Sequence, residues 1–232
     1  SSDGASTTTT YNDGPSTGGS TSAPDMTSAP SSAPPSSLPA MVSAAVPDDL
    51  AFWRSLSMRA DWIFSTPSFT EMLKYADVVV VARVASVSEA EPLEVEDLGT
   101  QLTNVDLHLE VVEGSFPSGV SDPVLRVEAP GSLGPDAAGS FEAWLQTFGS
   151  RLPTNYAVLV LRQRPDAPPN VYQILNEWSI LVQDTDSVTT AFTEEDRVVP
   201  VASYEKVMGT VKSLDELYLL LLDARALEDA EA

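Results

Sequence analysis

The chain has 232 residues, room for one domain of ordinary size plus a tail, and 43% of them are hydrophobic, enough to build a sizeable core. Its 34 acidic residues against 12 basic ones give a formal net charge of -22, which repels phosphate backbones and anionic membrane surfaces and so excludes nucleic acid as a partner. There is no Cys, hence no disulfide framework, no thiol nucleophile and no thiolate zinc site, and no window approaches the roughly 18 apolar residues that a membrane-spanning helix needs.

Residues 1–46 are built almost wholly of Ser, Thr, Pro, Gly and Ala, with no Lys or Arg. Such a stretch cannot bury enough surface to offset its ordering entropy, so a disordered stalk is expected there. Tracts of this kind lift a domain off a cell surface. The chain starts at Ser1 without Met, as it would after removal of a signal segment or after trimming. A bacterial lipoprotein carries an acylated Cys immediately before such a stalk, and a lipid anchor preceding Ser1 belongs to the same expectation.

From Pro47 the character changes, and residues 47–75 read as a helical lead-in. Asp48 or Asp49 can cap a helix that carries Phe52, Trp53 and Leu56 on one face, followed by Trp62, Ile63 and Phe64 and then "TEMLKYAD". Trp53 and Trp62, at helical spacing, are read as core rather than as an aromatic binding platform.

Residues 76–212 read as a β-barrel domain. "DVVVVARVASVSE" is β-branched from Val78 to Val87 with alternation only after Ala82, so both faces of its first half must be covered. "TNVDLHLEVVEG" alternates cleanly, with Val105, Leu107, Leu109 and Val111 opposite Asn104, Asp106, His108 and Glu110. "PVLRVEA", "NYAVLVLRQR", "NVYQILNEWSILVQD" with a turn near Asn176, and the shorter "SVTTAF" complete the predicted strands. Between two of them, "SFEAWLQTFG" predicts a helix capped by Ser140, with Phe141, Trp144, Leu145 and Phe148 on one face. The expected class is therefore mainly β with flanking helices: a small antiparallel OB-like barrel or curled sheet with an inserted helix and a C-terminal helix.

The stretches "YADVVVVARVASV", "VDLHLEVVEGSFPSG" and "YAVLVLR" resemble the core of small secreted or lipid-anchored domains of unknown function from actinobacteria. The resemblance runs from Tyr75 to Arg164, rests on strand patterning, and implies an exported barrel with no catalytic residues to carry over. Around the second strand, where such domains often show basic residues, this chain has acids.

Candidate chemistry is sparse. His108, the only His, shares a strand face with Asp106 and Glu110, but no nucleophile stands on a Gly-x-Ser-x-Gly turn, so it reads as solvated or structurally hydrogen-bonded. The acidic run Glu89, Glu91, Glu94, Glu96 and Asp97 invites a calcium reading, as do Asp184, Asp186, Glu194, Glu195 and Asp196. Asp184, Asp186 and Glu195 fall at positions one, three and twelve of an EF-hand-like loop. Val188 nevertheless occupies a ligand position and Thr189 the turn glycine, which favours a solvated hairpin. Paired carboxylates for a hydrolase remain an alternative, although nothing selects two of the 34 acids. No cofactor, metal or catalytic residue is assigned.

The chain closes on "SLDELYLLLLDARALEDAEA", a helix expected over 213–232 with Ser213 and Glu216 as a capping box. Leu214, Leu217, Tyr218, Leu221 and Leu222 form the core stripe, while Leu219 and Leu220 lie off it. A helix apolar nearly all round is either wedged into its own domain or handed to a partner, and Leu217, Leu219, Leu220 and Leu222 are the candidate partner-binding residues. The expected function is that of a non-enzymatic exported module that engages another protein, in a surface assembly or as a second copy. A small-ligand or Ca2+-binding barrel and a carboxylate-based hydrolase are the alternatives.

Overall fold

The computed structural model describes residues 47–56, 66–90, 93–95, 100–102, 104–114, 116–117, 119–128, 142–191 and 202–231. The expected stalk therefore lies outside the described residues, as do Trp62, Ile63, Phe64, Ser140 and Phe141. The N-terminal elements are α1 (Pro47–Ser55), α2 (Phe69–Leu73), β1 (Val78–Glu89), β2 (Leu93–Val95), β3 (Thr100–Leu102), β4 (Asn104–Glu113) and β5 (Val124–Glu128). A π-helical turn (Leu145–Gly149) follows, then β6 (Ala157–Gln163), β7 (Val171–Ile174), β8 (Ile180–Gln183), β9 (Val188–Thr190), α3 (Ala202–Met208) and α4 (Leu214–Glu231).

Five strands close a small barrel in the order β1-β4-β5-β7-β6, with β6 returning to β1. β1 is long enough to serve two neighbours. Its start pairs with β6, from Val78 opposite Leu161 to Ala82 opposite Ala157, and its later part pairs with β4 as far as Glu89 opposite Val105. β8 and then β9 extend the sheet from the first half of β6, whose last residues are taken by β7. The OB-like barrel with an inserted helical turn and a C-terminal helix is thus present. One pairing departs from the antiparallel expectation: β5 and β7 run parallel, with Val124 and Leu125 beside Val171 and Tyr172. Parallel neighbours need a long crossover, and the chain between Glu128 and Val171, which carries the π-turn and β6, supplies it. β2 and β3 form a separate two-stranded ribbon within what reads in sequence as an acidic loop.

The apolar runs of β1 and β6 follow from burial on both faces. Val78, Val80, Ala82 and Val84 point into the barrel with Ala157, Leu159 and Leu161, while Val79, Val81, Val158 and Val160 point outward into a second core. Phe52 and Trp53 of α1 and Leu56 just after it join the inner core with Trp144, whose indole Nε1 donates to Ser55 Oγ at 2.7 Å. Trp53 is core, as its spacing suggests. Asp49 does not cap α1 but lies within it, and its buried carboxylate accepts from the backbone N–H groups of Thr154 and Asn155, both at 3.0 Å. Leu145, expected on the apolar face of the inserted helix, is exposed, because the π-helical winding departs from the 3.6-residue period that groups it with Trp144 and Phe148.

The outer core is covered by α2, α3 and α4, and its polar centre is the β7–β8 turn, Asn176 to Ser179. Ser179 Oγ accepts from the N–H groups of Leu175 and Asn176, and Asn176 Oδ1 accepts from Trp178 N at 2.9 Å. The Asn176 amide donates to Thr66 Oγ1 at 2.7 Å and to the Tyr204 hydroxyl at 3.2 Å. That hydroxyl also reaches the carbonyls of Thr66 and Ser68, and burial pushes its pKa up. Trp178 stacks on Tyr204 with centroids 4.7 Å apart. One hydrogen-bond network thereby ties the lead-in, the barrel and α3 together.

Gly114, at the end of β4, has φ +115°, and an added Cβ would stand 2.8 Å from Val80 Cγ1 and 2.9 Å from the Val79 carbonyl. Gly119, at φ +93°, has open space around it. Gly114→Ala should therefore lower stability by about 2–4 kcal/mol and Gly119→Ala by about 1 kcal/mol, read as shifts of the urea midpoint at unchanged slope. Equal losses would show that strain alone, without the contact to β1, sets the cost.

Candidate functional site

α4 is anchored at its start by side chains from two directions. Ser213 Oγ accepts from Glu216 N at 3.2 Å, and the Glu216 carboxylate returns to Lys212 N at 2.8 Å, one residue before the cap. Gln183, at the end of β8, accepts from Leu214 N through its carbonyl and donates through its amide to the Lys212, Asp184 and Ser187 carbonyls. The β8–β9 turn and the helix start are thus one hydrogen-bonded unit.

Inward, Leu214, Leu217, Tyr218 and Leu221 are buried against the outer faces of β1, β6 and β8, with Leu222 and Ala224 half-buried beside them. Leu217, one of the four candidate contact residues, is fully covered and is corrected to core: it falls on the same helical face as Leu214, Tyr218 and Leu221. Leu222 is partly covered by the same packing. Leu219 (46% exposed) and Leu220 (37% exposed) remain at the surface, joined by Leu227 (69% exposed). Leu227 stands seven residues after Leu220, and Ala226 and Ala230 are exposed on the same side of the helix. Continuing the helical period beyond the leucine run would have found it.

A groove of about 520 Å³ lies beside α4, between its Tyr218, Leu222 and Arg225 and Asp77, Val78 and Val79 at the start of β1 with Glu113 and Gly114 at the end of β4. Asp77 is held there by its carboxylate, which accepts from Gln163 N at 2.7 Å. Burial, then the nearby Glu113 carboxylate, push the Tyr218 hydroxyl pKa up. No sequence signal unites these residues, because the groove arises from where α4 crosses the ends of β1 and β4.

The other candidates are placed as follows. His108 shares its strand face with Asp106 and Glu110, but each has a cross-strand partner. His108 Nε2 meets Ser88 Oγ at 3.0 Å, Asp106 takes a two-pronged pair from Arg126 at 2.7 and 2.8 Å, and Glu110 accepts from Arg83 at 2.7 and 3.0 Å. Asp184 turns back on its own hairpin, accepting from Thr185 N at 2.7 Å. Glu91, Glu96, Asp97, Glu194, Glu195 and Asp196 lie outside the described residues. Among the described residues no group of three His, Asp or Glu side chains is placed to hold a metal ion, and no helix is long and apolar enough to cross a membrane.

Two tests follow from the two faces of α4. Leu217→Ala should cost about 2–5 kcal/mol by leaving a cavity, whereas Leu219→Ala should change stability by no more than about 0.5 kcal/mol, both by denaturant unfolding. Similar losses would place both leucines in the core. Asp215, in the first turn, has a buried, unpaired Oδ1, and burial followed by Glu216 raise its pKa above the ordinary 3.8. The stability tied to its proton is complete below pH 3.8 and is lost as pH rises through the folded value. Asp215→Asn should therefore raise the melting temperature at neutral pH, with the gain fading toward pH 3; a loss at neutral pH would mean that attraction to the helix N-terminus dominates.

Comparison of the chain with protein-family models, with curated proteins and with solved structures finds no match.

Proposed function

We propose that this is a non-enzymatic, exported binding module, held off a cell surface by its Ser/Thr/Pro-rich N-terminal stretch and engaging another protein through the outward face of α4. The observation that carries this is the division of labour on one helix. Leu214, Leu217, Tyr218 and Leu221 already satisfy the packing of α4 on the barrel, yet Leu219, Leu220 and Leu227 stay exposed. Grouped exposed leucines on a soluble domain mark contact sites more often than isolated ones do. The stalk-like composition of residues 1–46 supports export and surface display, and the strand patterning resembling secreted and lipid-anchored actinobacterial domains points the same way.

A second function, binding of a small molecule, is supported by the groove beside α4, which Asp77, Glu113 and Arg225 line together. Such a mixed lining suits an amphoteric ligand, and ligand-dependent melting would mark it.

The primary proposal is tested on the full chain, displayed by the cells that make it, with a photo-cross-linking side chain at position 220 or position 89. Position 220 should give one discrete protein adduct that Leu227→Glu abolishes while the melting temperature holds. Equal labelling from the exposed Glu89 end of β1, or an adduct indifferent to Leu227→Glu, would overturn it.

A further inference from the structure

The outward face of α4 has a chemistry that narrows the partner. Leu219, Leu220, Asp223, Ala226, Leu227 and Ala230 are exposed on it. Leu220 and Leu227 repeat at seven residues, as do the paired positions Leu219 and Ala226, the spacing by which one helix lies along another. The alanines leave room for close approach. From Leu219 to Ala230 the face is about 16 Å long at 1.5 Å per residue, three turns of a partner helix.

Charge then decides between occupants. Of the acidic residues of α4, Glu216 and Asp223 stand exposed on this side, whereas Arg225, the one basic residue of the helix, is half-buried beside the groove. A second copy of the chain would bring the same acidic helix, on a molecule of formal net charge -22, into contact with itself. Like charges set face to face in this way disfavour pairing, and an anionic lipid surface meets the same objection. A helix bearing leucine-sized side chains on one face and Lys or Arg along its edges meets both the apolar centre and the acidic border.

We infer that the outward face of α4 is the docking site for a basic amphipathic helix of a partner protein; this rests on the protein-binding function proposed above and assigns the partner's chemistry. Leu220 and Leu227 supply the apolar seat, and Asp223 lies beside it as an acidic contact for a flanking cation. Affinity should fall as salt screens the pairing.

The test is selection of random 14-residue helical peptides on the immobilised full chain, followed by affinities in solution. The selected sequences should carry net positive charge with apolar residues at i, i+3 or i+4 and i+7. Their binding should weaken about tenfold or more with Leu220→Glu/Leu227→Glu, and it should weaken with rising salt. Asp223→Lys leaves the leucines in place and should lower affinity for the basic peptides while raising it for their acidic counterparts. Melting of each variant confirms that the domain is intact.

Selection of acidic or neutral peptides, or of basic peptides whose affinity ignores both variants, would overturn the basic-helix assignment and leave the protein-binding function standing. So would self-association of the chain abolished by the double variant, since the face would then receive a second copy. Failure to select any peptide would count against both.

Discussion

β1 and β6 have no wet face in the half they share, and the rest of the molecule follows from that. Val78, Val80 and Ala82 with Ala157, Leu159 and Leu161 fill the barrel, while Val79 and Val81 with Val158 and Val160 present an equally apolar patch outside it. Each such side chain left in water forfeits about 1.5–3 kcal/mol, so a barrel built on these strands is incomplete until something covers its outer wall. The cover comes from α2, α3 and α4.

The covering helices are positioned by polar groups rather than by apolar contact alone. The buried Asn176–Ser179 turn fixes Thr66 and Tyr204, and hence the approach of α2 and α3. Gln183 fixes the first turn of α4. Apolar surfaces slide at little cost, whereas a buried donor left without its acceptor costs about 1–3 kcal/mol, so the buried Asn176 bonds select one arrangement of α2 and α3 among many, and the more exposed Gln183 bonds set the register of α4 at a smaller cost. With α4 held in that arrangement, one stripe of the helix is spent on the barrel and the opposite face is presented outward, leucines included. The groove beside Tyr218 is another product of the same placement.

Much of this was legible in the sequence, for identifiable reasons. Period-two alternation marked β4, an unbroken β-branched run marked the first half of β1 as covered on both sides, and the apolar run of β6 marked a strand; the barrel and its C-terminal helix followed. What escaped depends on distant parts of the chain. The parallel β5–β7 contact is set by closure of the barrel, not by either segment. The π-helical winding that turns Leu145 out leaves no trace in an i, i+3, i+4 pattern. Asp49 looked like a cap because caps are local, but its partners lie at Thr154 and Asn155. For the candidate contact residues, helical periodicity correctly put Leu219 and Leu220 off the core stripe. The run of leucines groups Leu217 with the contact set although its position on the wheel marks it as core, and Leu227 escapes that grouping because it stands outside the run, among alanines and acids.

The central claim is that α4 belongs to the folded unit while offering its other face outward. Native-state hydrogen exchange of the full chain tests it most directly. If α4 completes the outer core, the amides from Leu217 to Leu222 should exchange only through the same global opening that exposes the amides of β1 and β6, with equal opening free energies and equal response to denaturant. Exchange of those helix amides by a local opening of much lower free energy, while β1 and β6 stay protected, would contradict it. The helix would then be an appendage, and the outer wall of the barrel would owe its stability to α2 and α3 alone.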